Sequence, residues 1–296
     1  MKLSVLVITY NHEPFIAQAL DSVLMQRTGF DYEIVIGEDC STDGTRAIVL
    51  DYQRRHPDRI RLLLPEKNLG ANRNFIATYE ACCGDYIAML EGDDYWTDPL
   101  KLQHQVDFLD AHPEFVICFT DCSIVNEQGA LTDQVRVPQR MKKTISQSEI
   151  SYGTPPTLTV VFRSHLIGSF PKDIYQVVNV DMFLCCMLLG FGDAAYLDRN
   201  TACYRMHGGG IWSLSSGEFR YRNNLKIRQK LLKFCGEKHR DVLVPEVSAY
   251  YVNLLNFYRE QKMMAKFSVF FVFYAAFKIK HKILQMFRTE FAHAKR

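Results

Sequence analysis

Apolar positions in the first 120 residues switch repeatedly between two periods. Residues 3–9, LSVLVIT, form an unbroken run of β-branched and aliphatic side chains, as in a strand covered on both faces. In 13–26, Phe15, Ile16, Ala19, Leu20, Val23 and Leu24 recur at helical spacing behind Pro14, a residue suited to a first turn. EIVIGED (33–39) reads as the next strand, and STDGTRAIVLDYQRRHP as a capped helix that stops at Pro57. A strand at 60–64, a helix over about 71–82, a strand at 85–90, a helix over about 98–111 and a strand at 115–121 continue the series. Such alternation predicts an α/β protein with a mostly parallel, doubly wound sheet flanked by helices.

The pattern then loosens. Residues 122–178 read as excursion loops, interrupted by a strand TLTVVFR (157–163), and 179–205 as a short helix followed by two strands. Beyond the glycines at 208–210 the chain is read as wholly helical over 218–290. This divides it into a sheet domain at 1–215 and a helical extension at 216–296.

Charge sharpens the division. Net charge is only +2, but Met1–Phe219 carries 18 Lys+Arg against 28 Asp+Glu, and Arg220–Arg296 carries 17 against 5. An acidic body with a basic tail suggests an anionic surface as a partner. Within the tail, FSVFFVFYAAF (267–277) is too short to span a bilayer core, which needs about 20 apolar residues. It suits either a helix buried against the body or another subunit of a homo-oligomer, or one lying in a membrane interface. Aromatics cluster there rather than alternate with lysines, which argues against nucleic acid.

Nine cysteines, no pair of them spaced CxxC and most in apolar segments, read as small buried hydrophobes. With no recognisable secretory signal in MKLSVLVITYN, the expected setting is the cytoplasm, with peripheral contact at the inner face of the membrane.

Candidate chemistry lies at the strand ends, where open α/β sheets bind ligands. The residues there are TYNH (9–12), EDCSTDG (38–44), EGDDYW (91–96) and TDC (120–122), three of which carry carboxylates. Neither a GxGxxG nor a GxxxxGK[ST] loop is present, so a bound nucleotide would have its phosphates held through a metal rather than a glycine cradle. Adjacent Asp93 and Asp94 suit Mg²⁺ or Mn²⁺, which take carboxylate and phosphate oxygens.

VLVITYNHEPFIAQALDSVLMQ, EIVIGEDCSTDGT, the run from NLGANRN to EGDDYWTDPLKLQHQVDFL, and YRMHGGGIWS together resemble the family 2 glycosyltransferases of GT-A fold, over about residues 1–215. The resemblance implies an inverting, metal-dependent transfer from a nucleoside-diphosphate sugar, a UDP-sugar foremost, to a saccharide or lipid-linked acceptor, in surface polysaccharide synthesis. It places the nucleotide sugar at Thr9, Tyr10, Asn11, Asp39, Arg73 and Asp93. The metal falls to Asp94, Asp93 and His207, and the catalytic base to Asp181, ahead of Asp173 and Asp193. Trp212 would cover the acceptor or anchor its loop. Glu38 and Val180 depart from the family's commoner Asp-Asp and Glu-Asp forms. Two alternatives stand beside this one: a non-catalytic sugar-nucleotide-binding or scaffold protein that keeps the fold, and a nucleotidyltransferase. The latter would carry a basic glycine-rich loop where TYNHEPF stands.

Overall fold

The computed structural model describes all residues except 147–148, 150–153, 210–214, 235–239 and 294–296, and the side chains of 173 and 285–293. Two compact units divide the chain, Met1–Leu214 and Ser215–Arg296.

In the first unit the strands are β1 (Leu3–Thr9), β2 (Tyr32–Glu38), β3 (Ile60–Leu63), β4 (Tyr86–Glu91), β5 (Tyr95–Trp96), β6 (Phe115–Val125), β7 (Val161–Arg163) and β8 (Asp193–Arg205). They form one sheet in the order β3-β2-β1-β4-β7-β6-β8-β5. The pairs β1–β2, β1–β4, β2–β3 and β6–β8 are parallel, and β7 and β5 run antiparallel to their neighbours. The helices of this unit are α1 (Ile16–Leu24), α2 (Thr45–Arg55), α3 (Ala71–Ala81), α4 (Lys101–Ala111) and α5 (Val180–Leu188). Leu3, Val5 and Val7 of β1 share a buried core with Ile34 and Ile36 of β2, Ala88 and Leu90 of β4, and Leu20 and Val23 of α1.

Winding reverses at β1, with β2 and β3 to one side and β4 to the other. Register then brings Thr9 beside Glu38 and Ile8 beside Glu91. Two glycines close the remaining gaps. A Cβ on Gly37 would fall 2.0 Å from Thr78 Oγ1, so α3 packs directly on β2, and Asn74 Nδ2 donates to the Gly37 carbonyl at 2.8 Å. A Cβ on Gly92 would fall 2.6 Å from Thr9 Oγ1 and 3.0 Å from His12 Nδ1. Its absence lets the turn after β4 rest on the end of β1.

Three elements differ from the sequence reading. TLTVVFR splits into a 3-10 turn, Thr157–Thr159, and a three-residue strand, because Thr159 Oγ1 bonds back to the Pro156 carbonyl at 2.7 Å. The two strands read before His207 are a single strand, β8, whose exposed Asp198, Arg199 and Asn200 suggest a loop. Pairing with β6 breaks after Tyr196 and resumes at Asn200 with a register shift. Residues Tyr95–Trp96, placed in the segment beyond the preceding strand, form a short edge strand on β8.

The second unit holds α6 (Gly217–Phe234), α7 (Arg240–Glu260) and α8 (Met264–His293). Leu225, Val247, Tyr251, Leu254 and Tyr258 form its core, with Phe267, Phe270, Tyr274 and Phe277 of α8 packed against them. No helix among the described residues is long and apolar enough to cross a membrane.

Lys101 is fully buried in the first unit, its Nζ bonded to Gln105 Oε1 at 2.6 Å and 4.5 Å from the Trp96 ring centre. Burial pushes its pKa from 10.5 down to about 7, against the opposing pull of Cys118 and Asp98. Between those values the unfolded chain binds a proton that the folded chain does not, so this group makes stability rise with pH. Lys101→Met is expected to flatten that slope in melting temperatures measured from pH 7 upward; an unchanged slope would mean the ammonium is not desolvated as described.

Candidate active site

The four segments singled out at the strand ends do not contribute equally, and TDC (120–122) lies inside β6, which runs on to Val125, rather than beyond a strand end. Asp93, in the turn after β4, directs Oδ2 to His207 Nε2 at 2.9 Å, and His12 Nε2 lies 3.7 Å from the same oxygen. These three form a group whose ligand atoms all lie within 4.8 Å of one another, a spacing that could hold a metal ion. His12 enters from the loop after β1, where its amide donates to Thr45 Oγ1 (2.8 Å) and its Nδ1 is hydrogen-bonded to Thr9 Oγ1 (3.3 Å). His207 follows β8 and packs on the Phe15 ring, 4.9 Å between centres.

Electrostatics bind the group together. Burial would raise the Asp93 pKa, but the hydrogen bond from His207 and the positive potential of both imidazoles outweigh it, and the group stays below its ordinary value. The Asp93 hydrogen bond moves His207 the other way, upward against burial. Burial takes His12 down despite Asp93.

Asp94 diverges from Asp93. It is buried, and its Oδ1 accepts the Arg205 amide proton at 2.7 Å. Burial first, then Asp93 and Glu91, hold its carboxyl well above the usual range. Of the three residues the sequence reading gave the metal, the structure brings Asp93 and His207 together and leaves Asp94 facing the backbone. Arg205 secures this arrangement: Nε donates to the Asp93 carbonyl (3.0 Å), Nη2 to Gln18 Oε1 (2.6 Å) and Nη1 to the Glu127 carbonyl (3.0 Å). Its guanidinium also lies over Phe15 at 4.8 Å.

A second cluster lies beside the first. Asp181 sits in the first turn of α5, and its Oδ2 accepts the Thr157 hydroxyl at 3.0 Å. Thr157 also lies beside Glu91, whose Oε2 is buried and has no hydrogen-bond partner among the described residues. Burial raises Glu91 to about 8, with Asp93 and Asp181 adding to the shift. Its carboxyl is therefore largely neutral at pH 7. Asn72 Nδ2 bonds the Val177 carbonyl and so ties α3 to the segment leading into Asp181.

The other expected nucleotide contacts gather beside β1 and β2. The Asp39 amide donates to the Thr9 carbonyl at 3.0 Å, and its carboxylate accepts the Leu69 and Gly70 amides at 2.6 and 2.9 Å. Burial nonetheless leaves Asp39 with a raised pKa, Glu38 adding to it. Glu38 points away, onto the Ser41 amide (2.6 Å) and Arg46. Asn11 takes a left-handed backbone, φ 54°, and its Oδ1 accepts the Thr42 amide at 2.8 Å. Tyr10 is exposed, as is Arg73 in the first turn of α3. Asp193 opens β8, at the far end of that strand from His207. The side chain of Asp173, and Gly210 and Trp212, lie outside the described residues.

Residues 4–166 match the family model "Glycosyl transferase family 2". The chain belongs to that family. An uncharacterized protein of Mycobacterium bovis, Mb1547, is 35% identical over 256 residues, 84% of this chain and 73% of the relative. TuaG of Bacillus subtilis, named a putative teichuronic acid biosynthesis glycosyltransferase, is 32% identical over 47% of this family 2 chain and 54% of its own. Among solved structures, S. aureus TarS 1–349 with UDP-GlcNAc superposes with a TM-score of 0.66 at 23% identity, covering 84% of this chain and 71% of TarS. The mannosyltransferase PcManGT of Pyrobaculum calidifontis, with GDP-Man and Mn²⁺, gives 0.58 at 17% identity over 95% and 86%. The fold is GT-A.

His12 and Glu91 lie in the strand-end segments TYNH and EGDDYW but carry no assigned role there, and Thr157 and Arg205 lie outside those segments. Glu91 carried a usable signal: in extended chain, residues two apart face the same side and adjacent ones diverge. Beyond the strand-end position of His12, neither His12 nor Arg205 carried a signal of its role, which depends on contacts more than 75 residues away in sequence.

The two aspartates are separable. His12→Ala and His207→Ala should each weaken Mn²⁺ binding by about tenfold or more, read by manganese electron paramagnetic resonance. Asp94→Asn should leave it near wild type, whereas Asp94→Ala should cost about 1–3 kcal/mol of stability. Loss of Mn²⁺ binding in Asp94→Asn would return the ligand role to that residue.

Proposed function

We propose that this chain is an inverting glycosyltransferase that moves a sugar from a nucleoside-diphosphate donor, a UDP-sugar foremost, to a hydroxyl of a saccharide or lipid-linked acceptor in surface polysaccharide assembly. The observation that carries this reading is the pair of clusters at the ends of β1 and β4: a histidine–carboxylate group suited to a cation, and Asp181 beside it. TarS with UDP-GlcNAc and the name of TuaG support the donor class and the setting.

The donor set bears on the metal. Two imidazole nitrogens and one carboxylate oxygen suit Mn²⁺ better than Mg²⁺, which favours oxygen ligands. An ion held by Asp93, His207 and His12 would neutralise charge on the departing diphosphate. The Gly209 amide donates to His207 Nδ1 at 3.2 Å, which leaves the ring proton on Nε2, facing Asp93.

On the nucleoside side, Thr9, Tyr10, Asn11 and Asp39 line the ends of β1 and β2, and Arg73 supplies positive charge from α3. The acceptor hydroxyl gives its proton to Asp181 while its oxygen bonds the anomeric carbon. The bond from that carbon to the diphosphate breaks on the opposite face, which inverts the configuration. Thr157 fixes the Asp181 carboxylate, and a neutral Glu91 avoids a third anion beside it.

Nucleoside diphosphates screened with Mn²⁺ should raise the melting temperature, uridine diphosphate most. Asp181→Asn should keep that shift and lose about 10²–10⁴ in nucleoside-diphosphate release from the matching sugar donor. Near-normal turnover in the variant would remove Asp181 from the mechanism, and no shift with any nucleotide would refute the donor site.

A further inference from the structure

Helix α8 has two apolar faces, and the core of its own unit uses one. Phe267, Phe270, Tyr274 and Phe277 pack on α6 and α7, and His281 Nδ1, 2.9 Å from Arg240 Nη2, continues that side. Opposite them Val269, Val272, Ala276, Ile279 and Ile283 repeat at helical spacing and are all exposed, Val272 at 65% and Ile279 at 61%. The stripe runs about 21 Å along the helix. Phe271 and Phe273, each more than half exposed, widen the apolar surface. An exposed helix face in water is ordinarily polar, and a continuous apolar strip marks an interaction surface.

Charge identifies what covers it. At about 100° per residue, Lys280 and Lys282 fall on opposite flanks of the stripe, and Lys278 adds a third ammonium. No Asp or Glu occurs between Met264 and Leu284. Lys266 is already paired with Glu218 at 2.7 Å, within the same unit. A second copy of this face would bring lysine flanks together with no acid to offset them. An anionic bilayer supplies acyl chains for the stripe and phosphates for both flanks.

We infer that α8 lies in the interface of an anionic lipid membrane, with Val269, Val272, Ile279 and Ile283 toward the acyl chains and Lys278, Lys280 and Lys282 at the headgroup phosphates. The inference does not depend on the donor site and holds for any acceptor. It assigns the basic tail a defined face, and it would place a lipid-linked acceptor near the enzyme.

Full-length protein is to be sedimented with vesicles of phosphatidylcholine alone and of phosphatidylcholine mixed with phosphatidylglycerol. Binding should be at least about tenfold stronger to the mixed vesicles and weaken at high salt. Val272→Asp with Ile279→Asp, and separately Lys280→Glu with Lys282→Glu, should each reduce it about tenfold or more. Melting temperature and any nucleotide shift should stay unchanged, since these side chains touch neither core. No preference for anionic vesicles, or preference that survives both pairs of substitutions, overturns the proposal. A dimer in light scattering that Val272→Asp dissolves, without vesicle binding, would make the face a seam between copies.

Discussion

The carboxylate of Asp93 is shared by two imidazoles that come from opposite ends of the first unit's sequence, His12 after β1 and His207 after β8. A half-buried acid in a nest of other acids is unfavourable unless positive charge or an ion meets it. Burial and the neighbouring carboxylates push both Glu91 and Asp94 toward their protonated forms, which lessens the repulsion. Asp93 stays ionised because the histidines face it. Much of the surrounding structure serves this one contact. Gly92 removes the side chain that would separate the β4 turn from Thr9 and His12, and Arg205 ties that turn to β8 and α1.

That arrangement explains why the sheet is built as it is. Reversal of winding at β1 places three strand ends around one crevice. The antiparallel insertions β7 and β5 then bring in chain from far away. β7 leads out of the 3-10 turn that carries Thr157, and β5 pairs with β8 just beside Arg205. On the function proposed above, the parallel half would form the floor under the nucleotide, and the mixed half would bring in Thr157 and Arg205.

The second unit follows a different logic. Its aromatic core of Tyr251, Tyr258, Phe270 and Phe277 satisfies one side of α8, and the other side keeps valine and isoleucine in water between lysines. Lys101, by contrast, shows what burial does to an ammonium held by one amide oxygen and a ring face: its pKa falls to about 7 despite the pull of Cys118 and Asp98.

Local pattern in the sequence was enough to place the β1–α1–β2–α2–β3–α3–β4 series, the acidic strand ends, the helical tail and the family, because periodicity and turn residues act over a few positions. Where local signals competed, it erred. Exposed Asp198–Asn200 hid the middle of β8, and the bond from the Thr159 hydroxyl to the Pro156 carbonyl turned a strand run into a 3-10 turn. Asp93 and Asp94, indistinguishable as neighbours in the chain, received opposite surroundings from β8 packing against the turn. The roles of His12, Glu91, Thr157 and Arg205 likewise came only with tertiary structure. Hydrogen bonds and charge coupling depend on distance in space, and those distances are set by segments that a local reading treats as unrelated.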